Sequence, residues 1–297
     1  MLDGSNRIAK IVGLACGALL LLSVGGCAAT PMAQPAPTLA QPTATLAQPT
    51  PTSTSIPPAA TVLPGPTMVR VPAGEFLMGA ADSDRSANPN AKPQHSVYLD
   101  EFWIDQTEVT NAQYQRCVQA GKCSAPRLTD SRTRSSYYGD ARFDNYPVIY
   151  VKWNDATAYC AWAGKRLPTE AEWEKAARGT DGRVYRWGDE WDYSKANIGG
   201  GDTTAVGSCP AGASPYGALD MAGNVYEFVA DWFDGSYYKD SPSRNPTGPS
   251  SPTDRRVLRG GSWDLGKDYG STTYRFLVEP TWSLFATGFR CARGPLP

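Results

Sequence analysis

"AYCAWAGKRLPTEAEWEKAARG", Ala158 to Gly179, holds two helix signals back to back. In the second half, Thr169 and Glu172 have the spacing of a capping box. The threonine hydroxyl can accept the backbone N–H three residues on, and the glutamate carboxylate can reach back to the threonine N–H. Glu170 adds negative charge at the positive end of the helix. Trp173, Ala176 and Ala177 share one apolar face, and Gly179 ends the helix as a left-handed cap. Glu172 and Glu174 also invite comparison with a two-carboxylate enzyme, but capping is the more economical account. In the first half, Ala158, Cys160 and Trp162 lie on a helix that Asn154 can cap and Gly164 stops.

Further upstream, "YPVIYVKW" (Tyr146–Trp153) reads as a short strand. Thr110 and Gln113 make another capping box, for a helix through about Ala120. "VYLDEFWIDQTEVT" (Val97–Thr110) reads as extended, and "MVRVPAGEFLMG" (Met68–Gly79) as an opening strand or hairpin. After Thr180 the chain is rich in Gly, Trp, Asp and Pro, which suits short, irregular strands. The pattern predicts an α+β domain, coil-rich, over residues 67–297.

The whole chain has 297 residues and a net charge of −1, so no bulk charge calls for nucleic acid. Residues 1–26 read as a secretory signal: Arg7 and Lys10 precede an apolar run, Ile11–Val24, too short to span a membrane. "LSVGGC", ending at Cys27, resembles a bacterial lipobox. That resemblance implies lipid on Cys27 and an extracytoplasmic, membrane-anchored lipoprotein at the bacterial cell surface. Residues 27–66 are Pro, Thr, Ala, Gln and Ser, with "LAQPT" twice, and cannot build a core. They read as a disordered stalk, with a reach on the order of 100 Å.

Five cysteines follow the stalk: Cys117, Cys123, Cys160, Cys209 and Cys291. An exported protein can keep disulfides. "CVQAGKC" puts Cys117 near a helix end and Cys123 after a glycine turn, a setting for a local bridge. Five is odd, so one thiol is left over. His95 is the only histidine and no CxxC occurs, which argues against a Cys/His zinc site or a His-dependent triad.

Several stretches together resemble one family. They are "VPAGEFLMG", "EVTNAQY", "AYCAWAGKRLPTEAEWEKAARG", "WGDEW", "ANIGG", "PYGALDMAGNVYEFVADWF", "RVLRGGSW" and "GFRCAR". In order and spacing they are similar to the formylglycine-generating enzymes, or sulfatase-modifying factor domains. The resemblance covers nearly all of residues 67–297. It implies a variant of the C-type lectin fold with a few short helices and antiparallel strands. It also implies a bridge from Cys160 to Cys291, which leaves Cys209 as the spare thiol. Structural calcium is a further implication. One site would use Asn197 and Asp202 side chains with the Ile198 and Thr204 carbonyls. The other would use Asp220 and Glu227 side chains with the Gly223 and Val225 carbonyls. Hard cations take such oxygens.

The chain departs from the family at one place. Active members need two cysteines shortly after "RGGS", and together these bind copper(I), a soft metal suited to thiolates. No cysteine lies between Ser262 and Cys291 here, so no copper is expected. The segment instead offers Trp263, Asp264, Lys267, Asp268, Tyr269, Tyr274, Glu279 and Trp282 as candidate ligand-binding residues. Trp263, Phe276 and Phe285 are also candidates for simple packing. The leading expectation is a non-catalytic, surface-anchored binding module for a protein or glycan, touching a lipid membrane only through its anchor. The alternative is an oxidase that converts a sulfatase cysteine to formylglycine. The "RGGSW" and "GFR" frames also resemble variable proteins of diversity-generating retroelements, in which template Asn codons scatter. No Asn occurs from Gly261 to Pro297, but Lys267, Glu279 and Trp282 do not arise from a simple Asn codon.

Overall fold

The computed structural model describes residues 67–295. The signal, Cys27 and the stalk lie outside these residues. Strand β1 (Met68–Val71) pairs antiparallel with β4 (Phe102–Asp105), while β2 (Gly74–Met78) pairs with β3 (His95–Leu99). Met68–Gly79 is therefore neither one strand nor a hairpin. Pro72 has no N–H to give to a ladder, and Gly74, at φ 142°, turns the chain. Each half then finds its partner in the second extended segment.

The helices follow local chemistry closely. Helix α1 (Asn111–Gln119) opens on the Thr110–Gln113 capping box. Helix α2 (Trp153–Trp162) is capped two residues earlier than expected. Lys152, not Asn154, is the N-cap residue, and its N–H is accepted by the Asp155 carboxylate at 3.0 Å. Helix α3 (Glu170–Arg178) has both hydrogen bonds of the Thr169–Glu172 box, at 3.2 and 2.8 Å, and Gly179 follows at φ 77°. Tyr146–Trp153 forms no strand, because Tyr150 sits at φ 58° and breaks the extended run.

All nine residues of α3 are buried, so it is a central post and not an amphipathic surface helix. Its polar side chains are matched by buried cations. Glu170 accepts from Arg275 at 2.7 and 2.9 Å and from Arg259 at 3.1 Å; Glu174 accepts from Arg259 at 2.8 Å. Lys175 donates to the Pro72 and Gly74 carbonyls at 2.8 Å. Burial of such charges is tolerated only with this degree of pairing.

A third sheet has the order β7-β6-β5-β8, from β5 (Tyr226–Trp232), β6 (Arg256–Arg259), β7 (Phe276–Val278) and β8 (Thr287–Phe289). β5 and β8 run parallel and the other pairs antiparallel. Strand β9 (Ala292–Arg293) joins β4. Disulfides link Cys117 to Cys123 and Cys160 to Cys291. The second holds α2 to the segment just before β9. Cys209 is itself disulfide-bonded and is not a leftover thiol, so the odd-cysteine expectation is corrected.

Candidate functional site

The two arginine frames near the C-terminus are structural. Arg259 is fully buried against Glu170 and Glu174. Arg290 clamps Glu227 at 2.6 and 2.8 Å and donates to the carbonyls of Asp105, Gln106 and Leu219. Between the frames the chain must leave β6 and turn sharply. Gly260 and Gly261 do this at φ 94° and 74°. A Cβ on Gly261 would meet the Tyr269 carbonyl oxygen at 2.8 Å, so the double glycine lets the 267–270 turn lie directly on the frame. Beneath that turn, the buried Arg186 donates to the Gly270 carbonyl.

This arrangement encloses a cavity of about 130 Å³ between β5, β6, β7 and the C-terminal segment. Tyr226, Leu258, Phe276, Trp282 and Phe285 supply most of its wall, with Ser262 and Asp264 as polar members. The Tyr226 and Phe276 rings stack with centroids 5.1 Å apart. Tyr226 is only 5% exposed, and its hydroxyl has no hydrogen-bond partner among the described residues. Burial, then the nearby Tyr274, Asp264 and Tyr269, pushes this phenol well above its ordinary range, so it stays protonated. Asp264 Oδ1 accepts from the Ser262 hydroxyl at 2.6 Å.

The eight candidate ligand-binding residues divide. Asp264, Tyr269 and Trp282 line the cavity. Tyr274 packs against Tyr269 at 4.9 Å. Trp263 is 4% exposed and tilts against Phe285, so it is mainly packing. Lys267 and Asp268 sit exposed on the short turn above. Glu279 pairs with Arg255 at 2.5 Å. The sequence reading missed Tyr226 and Leu258, which reach the site from β5 and β6. Only the strand pairing brings them there.

The expected calcium ligands are placed as follows. Backbones of Asn197 and Gly223 meet in a parallel bridge, so the two expected sites are neighbours. Burial raises Asp202, but the hydroxyls of Thr133 and Ser131 outweigh it and hold this carboxyl below its usual range. Its oxygens accept from Ser131, Thr133 and Thr203 at 2.6–2.9 Å, and Arg134 lies 3.1 Å away. The amide of Asn197 donates to the Asp202 carbonyl; the Ile198 side chain is buried; the Thr204 N–H donates to Asn224. Glu227 is held by Arg290 and by the Trp173 indole at 2.9 Å. Asp220, at φ 56°, accepts from the Gly207 N–H. Gly223 and Val225 are buried between them in sequence. One residue was not foreseen: Glu108 is fully buried and neither carboxyl oxygen has a partner among the described residues. Burial and the charge of Asp220 push Glu108 well up, and burial raises Asp220 too.

A family model for the sulfatase-modifying factor enzyme 1-like domain matches residues 52–295, beginning inside the stretch read as stalk. The formylglycine-generating enzyme of Streptomyces coelicolor is 36% identical over 278 residues, covering 75% of this chain and 88% of that protein. The inactive C-alpha-formylglycine-generating enzyme 2 of Bos taurus is 39% identical over 282 residues, covering 76% and 88%. The chain spans only 38% of the serine/threonine-protein kinase pkn1 of Chlamydia caviae, at 38% identity. Among solved structures, Treponema denticola variable protein 1 matches with a TM-score of 0.62 and 26% identity, over 77% of this chain and 95% of that one.

Proposed function

This chain belongs to the sulfatase-modifying factor enzyme 1-like domain family, and from that premise we propose that it is a non-catalytic binding member, taking its ligand in the cavity of the C-terminal segment. One observation carries the reading. The cavity next to "RGGS" is walled by aromatic and aliphatic side chains, and no thiol lies between Ser262 and Cys291. Cys291 cannot substitute, since it is bonded to Cys160. A fold keeps its shape when its chemistry is removed, and a relative named as inactive shows 39% identity. Buried aromatics around a small pocket are the usual anchors of recognition.

The test is the family's own reaction. The full chain is incubated with copper(I) and a peptide bearing the sulfatase-motif cysteine, beside an active enzyme as control. An unchanged peptide mass is the expected result. Conversion of the cysteine to an aldehyde would overturn the reading in favour of the oxidase.

A retroelement-diversified C-terminus is a finer version of the same proposal. The likeness to Treponema denticola variable protein 1 supports it, and a near-copy of the 3′ end beside a reverse transcriptase gene would decide it. Lipid attachment at Cys27, with display at the bacterial surface, is part of the proposal and rests on "LSVGGC". Calcium is proposed as a structural cofactor. The residues that fit a hard cation best are the neighbouring buried acids Asp220 and Glu108, because no cationic donor is hydrogen-bonded to either among the described residues and Asp220 accepts from the Gly207 N–H. Asp202 and Glu227 already accept from protein donors and fit less well. A bound calcium would neutralise the buried acid pair.

A further inference from the structure

We propose that the cavity takes an alkylammonium group, its carbon stem against Phe276 and Trp282 and its N–H groups shared between the Tyr226 hydroxyl and the Asp264 carboxylate. This deepens the binding reading above and rests on it.

Three features narrow the ligand. The first is size. A cavity of about 130 Å³ equals roughly four water volumes, enough for a short aliphatic chain and its head group. The second is charge. Asp264 lines the cavity, accepts from the Ser262 hydroxyl and forms no ion pair with Lys or Arg among the described residues. An anionic ligand would be repelled there. A cation is attracted, and the faces of Tyr226, Phe276 and Trp282 add to that attraction. The third is the orphaned Tyr226 hydroxyl, buried and lining the same cavity, with Asp264 close enough to act on it. A neutral apolar guest would leave this buried hydroxyl unpaired, which is unfavourable. A quaternary ammonium has no N–H for it to accept. A primary ammonium satisfies both oxygens at once, through charge-assisted hydrogen bonds.

The same chemistry can come from a free amine or from the lysine side chain of a partner polypeptide. Calorimetric titration of the full chain with n-butylammonium and with N-acetyl-lysine methylamide separates the two. Saturable binding of either supports the inference, and the tighter of the two identifies the source. The neutral isostere 1-butanol is expected to bind roughly tenfold more weakly or worse than n-butylammonium. Asp264→Asn, an exposed position, and Tyr226→Phe, which keeps the ring, should each weaken amine binding by about tenfold, with the melting temperature unchanged. Equal binding of 1-butanol and n-butylammonium, or no effect of Asp264→Asn, would overturn the ammonium inference while leaving a binding pocket. Absence of amine binding would also overturn it. The binding reading itself falls only to aldehyde formation in the copper assay.

Discussion

Asp231→Asn should flatten the pH dependence of folding stability. Asp231 lies on β5, 2% exposed, and its Oδ2 accepts the Glu170 N–H at 2.8 Å. Burial, and then the charge of Glu170, push its carboxyl up to about 8. In an unfolded chain the group titrates near its ordinary value of 3.8. The folded pKa is raised, so the folded state keeps a proton that the unfolded chain has lost. The resulting stability is fully present below about pH 4 and is lost as pH rises through about 8. Inside that window one proton separates the states, and stability falls by about 1.4 kcal/mol per pH unit. From pH 5 to pH 7 this group alone removes about 2.7 kcal/mol. For a domain of this size that is a melting-temperature change of roughly 5–10 °C. The Asp231→Asn variant keeps a neutral acceptor for the Glu170 N–H and cannot lose the proton. Scanning calorimetry of both proteins at pH 5, 6 and 7 gives the difference directly, because other titrating groups cancel. Parallel melting curves across that range would refute the reasoning.

Two other outcomes are expected. Replacing both Cys160 and Cys291 by alanine opens a loop of sequence separation 131; the chain-entropy model puts the loss at about 5 kcal/mol, to be read from guanidinium unfolding against the Cys117→Ala/Cys123→Ala protein, which should lose less. If calcium binds at Asp220 and Glu108, a chelator should lower the melting temperature, and Glu108→Gln should abolish that response; ligand at a hundredfold excess over Kd is worth about 2.7 kcal/mol.

The elements that could be read in advance were those made by neighbours in sequence. The Thr110–Gln113 and Thr169–Glu172 boxes need only three residues of separation, and both formed. The α2 cap differs because Asp155 reaches the Lys152 N–H, placing Asn154 inside the first turn. The strand expected at Tyr146–Trp153 failed on one backbone angle at Tyr150, for which its apolar composition carries no signal.

Residue types and their spacing determined the α+β class, the starts of α1 and α3, the family resemblance and the absence of a thiol pair after "RGGS". Those are properties of residue type and local order. Which strands pair, and hence that Tyr226 and Leu258 from β5 and β6 face Phe276 and Trp282, was decided only by the tertiary structure. So was the distribution of buried charge: Arg259 on Glu170 and Glu174, Arg290 on Glu227, and Glu108 left without a hydrogen-bond partner among the described residues. A carboxylate's partner and solvation depend on groups far away in the chain, and no local pattern records them.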